Sequence, residues 1–217
     1  MGRNNAAKIE GKPLISAIVL AAGPATRMGF CKQLAIIEGK TMIEHVVDSA
    51  LSSKVEEVIV VLGFRAEEIL ERLKGKPKLR VAINRDYMAG LSSSVRVGVR
   101  AISPRSRAAV FMLGDQPLVK PSTVNRLIEA YLETGKPIVV PTYRGARGNP
   151  TLIDRKLFGE LERLSGDVGG RILIADHPGE VLEVEVEDQG VVLDVDDVED
   201  LERVRSLIFK DRLSNIP

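Results

Sequence analysis

At 217 residues, 44% of them hydrophobic, the chain is long enough for one substantial α/β core and too short for two ordinary domains. Its 31 basic and 30 acidic residues leave a formal charge of +1, so no global field recruits nucleic acid or a membrane surface, and any anion site has to be built locally. A single cysteine excludes an intrachain disulfide, and the longest apolar run, Ile15 to Ala22 broken only by Ser16, is far below the length that spans a bilayer. With no secretory pattern at the start, these features point to a reducing cytoplasm. Residues 1–12 are polar and read as a disordered tail, leaving a single domain over 13–217.

The apolar run reads as a buried opening strand, and it delivers Leu20-Ala21-Ala22-Gly23-Pro24-Ala25-Thr26-Arg27-Met28-Gly29-Phe30-Cys31-Lys32. Gly23 beside two small alanines lets backbone N–H groups approach an anion, while Arg27 and Lys32 add fixed positive charge. The P-loop spacing is absent, because the lysine lies three positions past the second glycine. The dinucleotide fingerprint is also absent: the glycines are widely spaced, and Leu62 and Gly63 stand where an acid is wanted after the second strand. What the residues do match is Leu-Ala-Ala-Gly-x-x-x-Arg-Met-Gly-x-x-Lys, and on this pattern the sequence resembles the molybdenum cofactor cytidylyltransferases among the MobA-like nucleotidyltransferases. It departs in having Ala25 where the family usually has Ser or Thr, and Cys31 where proline often precedes the lysine. The resemblance implies a three-layer, Rossmann-like α/β fold with a mostly parallel sheet. It also implies that Arg27 and Lys32 hold the triphosphate, with Leu20, Ala21, Ala22 and Gly23 seating the nucleoside.

Beyond this loop, Leu34 to Ile37 reads as a short extended piece, turned by Glu38-Gly39-Lys40 into a helix that begins near Thr41. Ile43, Val46, Val47, Ala50 and Leu51 recur at helical spacing, with His45 a partly buried bystander between them. Val58 to Leu62 is a β-branched strand, Ala66 to Leu73 an amphipathic helix, and Leu79 to Ile83 a third strand. Strands and helices alternating at this spacing define βαβ units, hence a parallel sheet whose ligands collect beyond the strands' carboxyl ends.

Gly90-Leu91-Ser92-Ser93-Ser94 then leads into a helix over Val95 to Ile102, so Ser92, Ser93 and Ser94 are expected at a helix N-terminus, as caps or as ligand contacts. The resemblance places this segment beside base and ribose. The strand Ala108 to Leu113 runs into Gly114-Asp115-Gln116-Pro117, where a carboxylate either closes the proline turn or faces the ligand edge. In similar transferases Gly114 lies at the nucleotide and Asp115 holds magnesium.

A helix over Pro121 to Thr134, opened by its proline, and a strand over Pro137 to Pro141 follow. The basic segment Tyr143 to Pro150 reads either as a plain hairpin tip or, by resemblance, as an acceptor-facing loop in which Gly148 and Asn149 match the family; Arg144 and Arg147 are suggested by charge alone. Ser165 to Arg171 resembles another family element, placing Asp167 and Arg171 on the acceptor side, although an Asp at a helix start is also a common cap. His177 precedes Pro178-Gly179 and reads as a turn residue. A strand over Val181 to Val186 and an extended run Val191 to Leu193 lead to Asp194-Val195-Asp196-Asp197-Val198-Glu199-Asp200-Leu201 and a last helix through Phe209. Acids in a first helical turn suit the helix dipole, so most of these need no function. Asp196 matches the family's second metal ligand, but Asp196 and Glu199 also fit an N-cap with its reciprocal partner; Asp194 is the weaker candidate on the same face.

Together the resemblance implies a Mg²⁺-dependent transfer of CMP from CTP to the terminal phosphate of molybdopterin with release of pyrophosphate, for eventual delivery to a molybdoenzyme. A phosphate monoester has its second pKa near about 6, so no protein nucleophile or base is needed. The two histidines and the cysteine, read as a partly buried loop residue, agree with that. Transfer of GMP or AMP, or of CMP to a sugar phosphate, are alternatives; Ala22 stands where GTP-using members tend to have glycine. Alternatives from other classes are a nicotinamide-dependent oxidoreductase and a non-catalytic nucleotide-binding module.

Overall fold

The computed structural model describes residues 14–24 and 29–214, with side chains through Lys210. Arg27, one of the two expected phosphate cations, lies outside the described residues.

Strand β1 (Leu14–Ala21) opens the fold, and a single 3-10 turn at Lys32–Leu34 follows the loop. Strands β2 (Ile36–Ile37) and β3 (Lys40–Thr41) form a small separate hairpin before α1 (Met42–Leu51). The chain continues through β4 (Glu57–Leu62), α2 (Ala66–Leu73), β5 (Leu79–Ile83), α3 (Leu91–Ala101), β6 (Ser106–Leu113) and α4 (Pro121–Thr134). Next are β7 (Ile138–Tyr143), β8 (Ala146–Arg147), β9 (Thr151–Asp154), α5 (Phe158–Leu161), α6 (Arg171–Asp176), β10 (Val181–Glu185) and α7 (Val198–Ser214).

The main sheet runs β10-β7-β9-β6-β1-β4-β5, with β8 paired to β7. The pairs of β1 with β4 and β6, of β4 with β5, and of β7 with β10 are parallel, as βαβ units require. β9 makes the sheet mostly and not wholly parallel, as expected: it runs antiparallel to both β6 and β7. The chain can insert it between them because β7 turns back through a tight hairpin, with Arg144 and Gly145 both at positive φ (51° and 77°).

Alternation along β1 builds the three layers. Ile15, Ala17, Val19 and Ala21 point to one face, where Ile43 and Val47 of α1, Ile69 of α2 and Leu127 of α4 cover them. Ile18, Leu20 and Ala22 point to the other, against Val95 of α3, Leu161 of α5 and Leu173 of α6. Both faces of the strand are therefore dry, which explains its nearly unbroken apolar sequence.

Local boundaries are informative in three places. Thr41 caps α1 in a reciprocal box, its backbone N–H donating to Glu44 at 2.8 Å. α3 already starts at Leu91, ahead of the expected Val95, and the three serines form its first turn at the helix N-terminus, as expected. The run expected to be extended at Val191 to Leu193 is mostly a 3-10 turn over Gln189–Val192, held by Asp188, whose side chain accepts from Gly190 N–H at 3.0 Å. The same buried carboxylate accepts from Lys120 N–H at 2.9 Å and from the Thr123 hydroxyl, closing the start of α4 from across the chain.

Candidate nucleotide and metal site

Three segments distant in sequence meet beyond the carboxyl ends of β1 and β6. The 3-10 turn after the opening loop raises Lys32, whose ammonium donates to Asp115 Oδ2 at 2.8 Å, to the Val195 carbonyl at 3.0 Å and to Asp196 Oδ1 at 3.1 Å. A backbone bond from Val195 N–H to the Asp115 carbonyl, 3.0 Å, ties the last two segments directly. The lysine side chain is 13% exposed, Asp115 23% and Asp196 47%. Burial disfavours the Lys32 ammonium, but the charges and hydrogen bonds of Asp115 and Asp196 outweigh it and raise its pKa above the ordinary lysine value.

The alternative role for Asp196 as a helix cap is not the one adopted. Asp197 Oδ1 accepts from Asp200 N–H at 2.9 Å, so the next acid along caps α7 and Asp196 turns towards Lys32. At Asp115, Oδ1 is buried with no hydrogen-bond partner. Two carboxylates thus converge on one ammonium, with an acceptor left over. That donor set fits a hard divalent cation, which uses one or two carboxylates and completes its shell with phosphate and water. Among the described residues no group of three or more His, Cys, Asp or Glu is assembled.

The residues expected at the nucleoside differ in burial and in their contacts. Leu20, Ala21 and Ala22 are buried at the end of β1, and Gly23 is exposed with open space at the position of a side chain. Gly114 N–H donates to the Leu20 carbonyl at 2.9 Å, bringing the β6 turn against β1. Ser92, Ser93 and Ser94 are all buried, and the Asn84 amide donates to Ser93 Oγ at 2.8 Å and Ser94 Oγ at 2.9 Å. Ser93 Oγ also donates to the Gly90 carbonyl at 2.7 Å. These two hydroxyls shape the turn from inside.

Asp167 caps α3, not its own helix, accepting from Leu91 N–H at 3.1 Å. Gly90, at φ 95°, lies so close to Gly166 that a Cβ would sit 2.5 Å from the Gly166 carbonyl oxygen. Gly148 is likewise a close-approach position, since a Cβ there would be 2.2 Å from the Val191 carbonyl oxygen. Asn149 and Arg171 do come together, in a pocket of about 180 Å³ with Leu20, Leu91, Phe111, Leu113, Thr151 and Asp194. Arg147 is drawn off by an ion pair with Glu183, and the Arg144 guanidinium lies 5.2 Å from the centre of the Tyr143 ring. A larger cavity of about 670 Å³, between α1, the start of α4 and α7, contains none of the expected site residues.

Two supporting side chains fall outside the expected set. Gln33 is buried; its amide donates to the Gly23 carbonyl at 3.3 Å and its Oε1 accepts from the Cys31 thiol at 3.2 Å, joining the two ends of the loop. Asn84 follows β5 at the ligand edge, and a polar residue just past a strand is the signal that could have found it. Cys31 is 2% exposed, and burial pushes its thiol pKa up, so its proximity to Lys32 does not activate it.

A doubly covered, mostly parallel sheet with a cation and paired acids at its carboxyl edge defines an α/β nucleotidyltransferase. Comparison with known proteins agrees: residues 17–181 match the MobA-like NTP transferase domain, and the chain belongs to that family. It is 30% identical to the nicotine blue oxidoreductase of Paenarthrobacter nicotinovorans, across 88% of this chain and 97% of that one. It is 27% identical to the molybdenum cofactor cytidylyltransferase of Escherichia coli, across 86% and 93%. Among solved structures, Rv0371c of Mycobacterium tuberculosis is 32% identical and superposes with a TM-score of 0.80 over 90% of this chain and 100% of that one; a further structure is of its complex with manganese.

Proposed function

We propose that this protein transfers CMP from CTP to the terminal phosphate of molybdopterin, releasing pyrophosphate, with Mg²⁺ as the cofactor. The observation that carries the reading is the convergence of Asp115 and Asp196 on Lys32, with Asp115 Oδ1 buried and unpartnered. Asp115 and Asp196 would hold the ion, whose chemistry is to neutralise phosphate charge as pyrophosphate departs. Lys32 keeps the two acids together in the free protein, and with a cation on those acids it would be available, together with Arg27, to the β- and γ-phosphates. Gly23 and the Ala21–Ala22 backbone seat the nucleoside, and Gly114 lies beside them. Asn84 fixes the turn of Ser92, Ser93 and Ser94 at the same edge. The acceptor phosphate is already ionised at neutral pH, so positioning and charge carry the rate. The molybdenum cofactor relative supports the choice of CTP and acceptor, and Ala22, buried at the end of β1, occupies the position that tends to be glycine in GTP-using members.

A second reading, nicotinamide-dependent reduction, is favoured by the name of the oxidoreductase relative. Against it, β4 ends in Leu62 and Gly63 with no acid to meet a ribose, and the cation–diacid cluster has no use in hydride transfer. Pyrophosphate release with each of the four ribonucleoside triphosphates, with and without Mg²⁺ and molybdopterin, is the test. The expected result is release with CTP, Mg²⁺ and molybdopterin together. NAD(P)H oxidation without any pyrophosphate release would overturn the assignment.

A further inference from the structure

The pocket around Asn149 holds polar groups that the fold itself leaves unmatched. Asn149 is 6% exposed, yet its Nδ2 is buried with no hydrogen-bond partner. Its backbone N–H is already committed, donating to the Val191 carbonyl at 2.8 Å. A buried amide donor without an acceptor costs free energy comparable to a lost hydrogen bond, so a ligand acceptor is the natural partner. Asp194 lines the same pocket and makes no ion pair or hydrogen bond among the described residues. Leu20, Leu91, Phe111 and Leu113 supply apolar walls. At about 180 Å³ the space is smaller than the roughly 300–1,000 Å³ that encloses a drug-sized molecule, so it takes a ring system and not a whole nucleotide.

The pocket lies on the β6–β9 side of β1, and Lys32 with its acids holds the phosphate end of the site. We infer that it reads the edge of a 2-amino-4-oxopyrimidine ring fused in the acceptor: Asp194 accepts from the ring N–H and the exocyclic amino group, and Asn149 Nδ2 donates to the ring carbonyl. A carboxylate demands a donor pair, and the amide demands an acceptor beside it. That sequence of groups is found along this edge. Arg171, also unpaired among the described residues, leaves a cation for the anionic remainder of the acceptor. Asp194 and Asn149 thereby become specificity-determining residues. This inference rests on the acceptor proposed above.

The test uses the full-length protein and two probes, 6-hydroxymethylpterin and the 2-oxo analogue 6-hydroxymethyllumazine, with binding followed by ring fluorescence. In the analogue a carbonyl replaces the amino donor and faces the carboxylate. A site built to hydrogen-bond a donor rejects a ligand lacking it, so the wild type is expected to prefer the pterin at least about ten-fold. Asp194→Asn should reduce that preference to below about three-fold, and Asn149→Asp should weaken pterin binding about ten-fold; unchanged melting temperatures establish that both variants fold. Equal affinity of the wild type for both rings, binding of neither, or full preference retained in Asp194→Asn overturns the inference. Molybdopterin-dependent pyrophosphate release is measured alongside. Release without ring preference sinks only this reading of the pocket, whereas ring preference without release sinks the transferase assignment and leaves a pterin-edge site.

Discussion

Lys32→Met is the most searching perturbation, because it removes the ammonium while keeping an apolar stem in the same space. At an effective dielectric of ~20, the 2.8 Å contact with Asp115 is worth roughly 6 kcal/mol of gross Coulomb attraction. The Asp196 contact, at 3.1 Å, is discounted heavily, since that carboxylate is 47% exposed and screened by solvent. Desolvation of the lysine, 13% exposed, offsets much of the gross value. Removing one partner of a buried pair commonly costs ~3–5 kcal/mol, and the partial exposure of this cluster lowers that to about 2–3 kcal/mol. For a chain of this size the melting temperature should fall by about 5–10 °C in metal-free buffer. Two further readings separate electrostatics from packing. Adding Asp115→Asn to Lys32→Met should restore part of the loss, because the remaining carboxylate no longer faces a like charge. Millimolar Mg²⁺ should stabilise Lys32→Met more than the wild type, since the ion then meets the acids without competition from the ammonium. Turnover should fall about 10²–10³-fold with smaller change in the KM for CTP. A melting temperature within about a degree of wild type, together with equal Mg²⁺ stabilisation of both proteins, would refute the shared-cation argument.

Other consequences are open to measurement. Asp188→Ala removes acceptors for Lys120 N–H, Thr123 Oγ1 and Gly190 N–H in a buried setting, so urea denaturation should report a loss of about 3 kcal/mol, whereas Glu187→Gln, at the exposed neighbouring position, should leave the transition nearly unmoved. His177 Nε2 lies 2.8 Å from Glu160 Oε2, and that hydrogen bond raises its pKa above 6.5, with burial opposing. Its contribution to stability is therefore complete below about 6.5 and disappears as pH rises through the folded-state pKa; the melting temperatures of wild type and His177→Gln should differ at about pH 5.5 and converge at higher pH, whereas a pH-independent gap would contradict the pairing. The buried, raised-pKa thiol of Cys31 should react with a disulfide reagent far more slowly in the native protein than in denaturant, and equal rates would count against its burial.

Which parts of this molecule could be read from its sequence follows from the range of the interactions involved. The double burial of β1 and the cover provided by α1, α2 and α4 are written in local periodicity, and α4 begins at Pro121 and ends at Thr134 as its proline and Gly135 dictate. The glycine-bearing stretch after β1 and its lysine were legible as a spaced pattern. The insertion of β9 antiparallel between β6 and β7 was not, because strand order depends on pairing partners far along the chain. Nor could local spacing decide whether Asp196 caps α7 with Glu199 or faces the site; in the structure Asp197 takes the cap and Asp196 pairs with Lys32. Asp167 and Gly148 carry residue types suited to a ligand, and only the tertiary structure shows that the first also caps α3 and the second packs against Val191. Sequence alone determined the layered α/β scaffold and the residue types available at its edge. Tertiary structure decided which of them share a space, because electrostatic pairing and desolvation depend on distances of a few ångströms that chain separation does not encode.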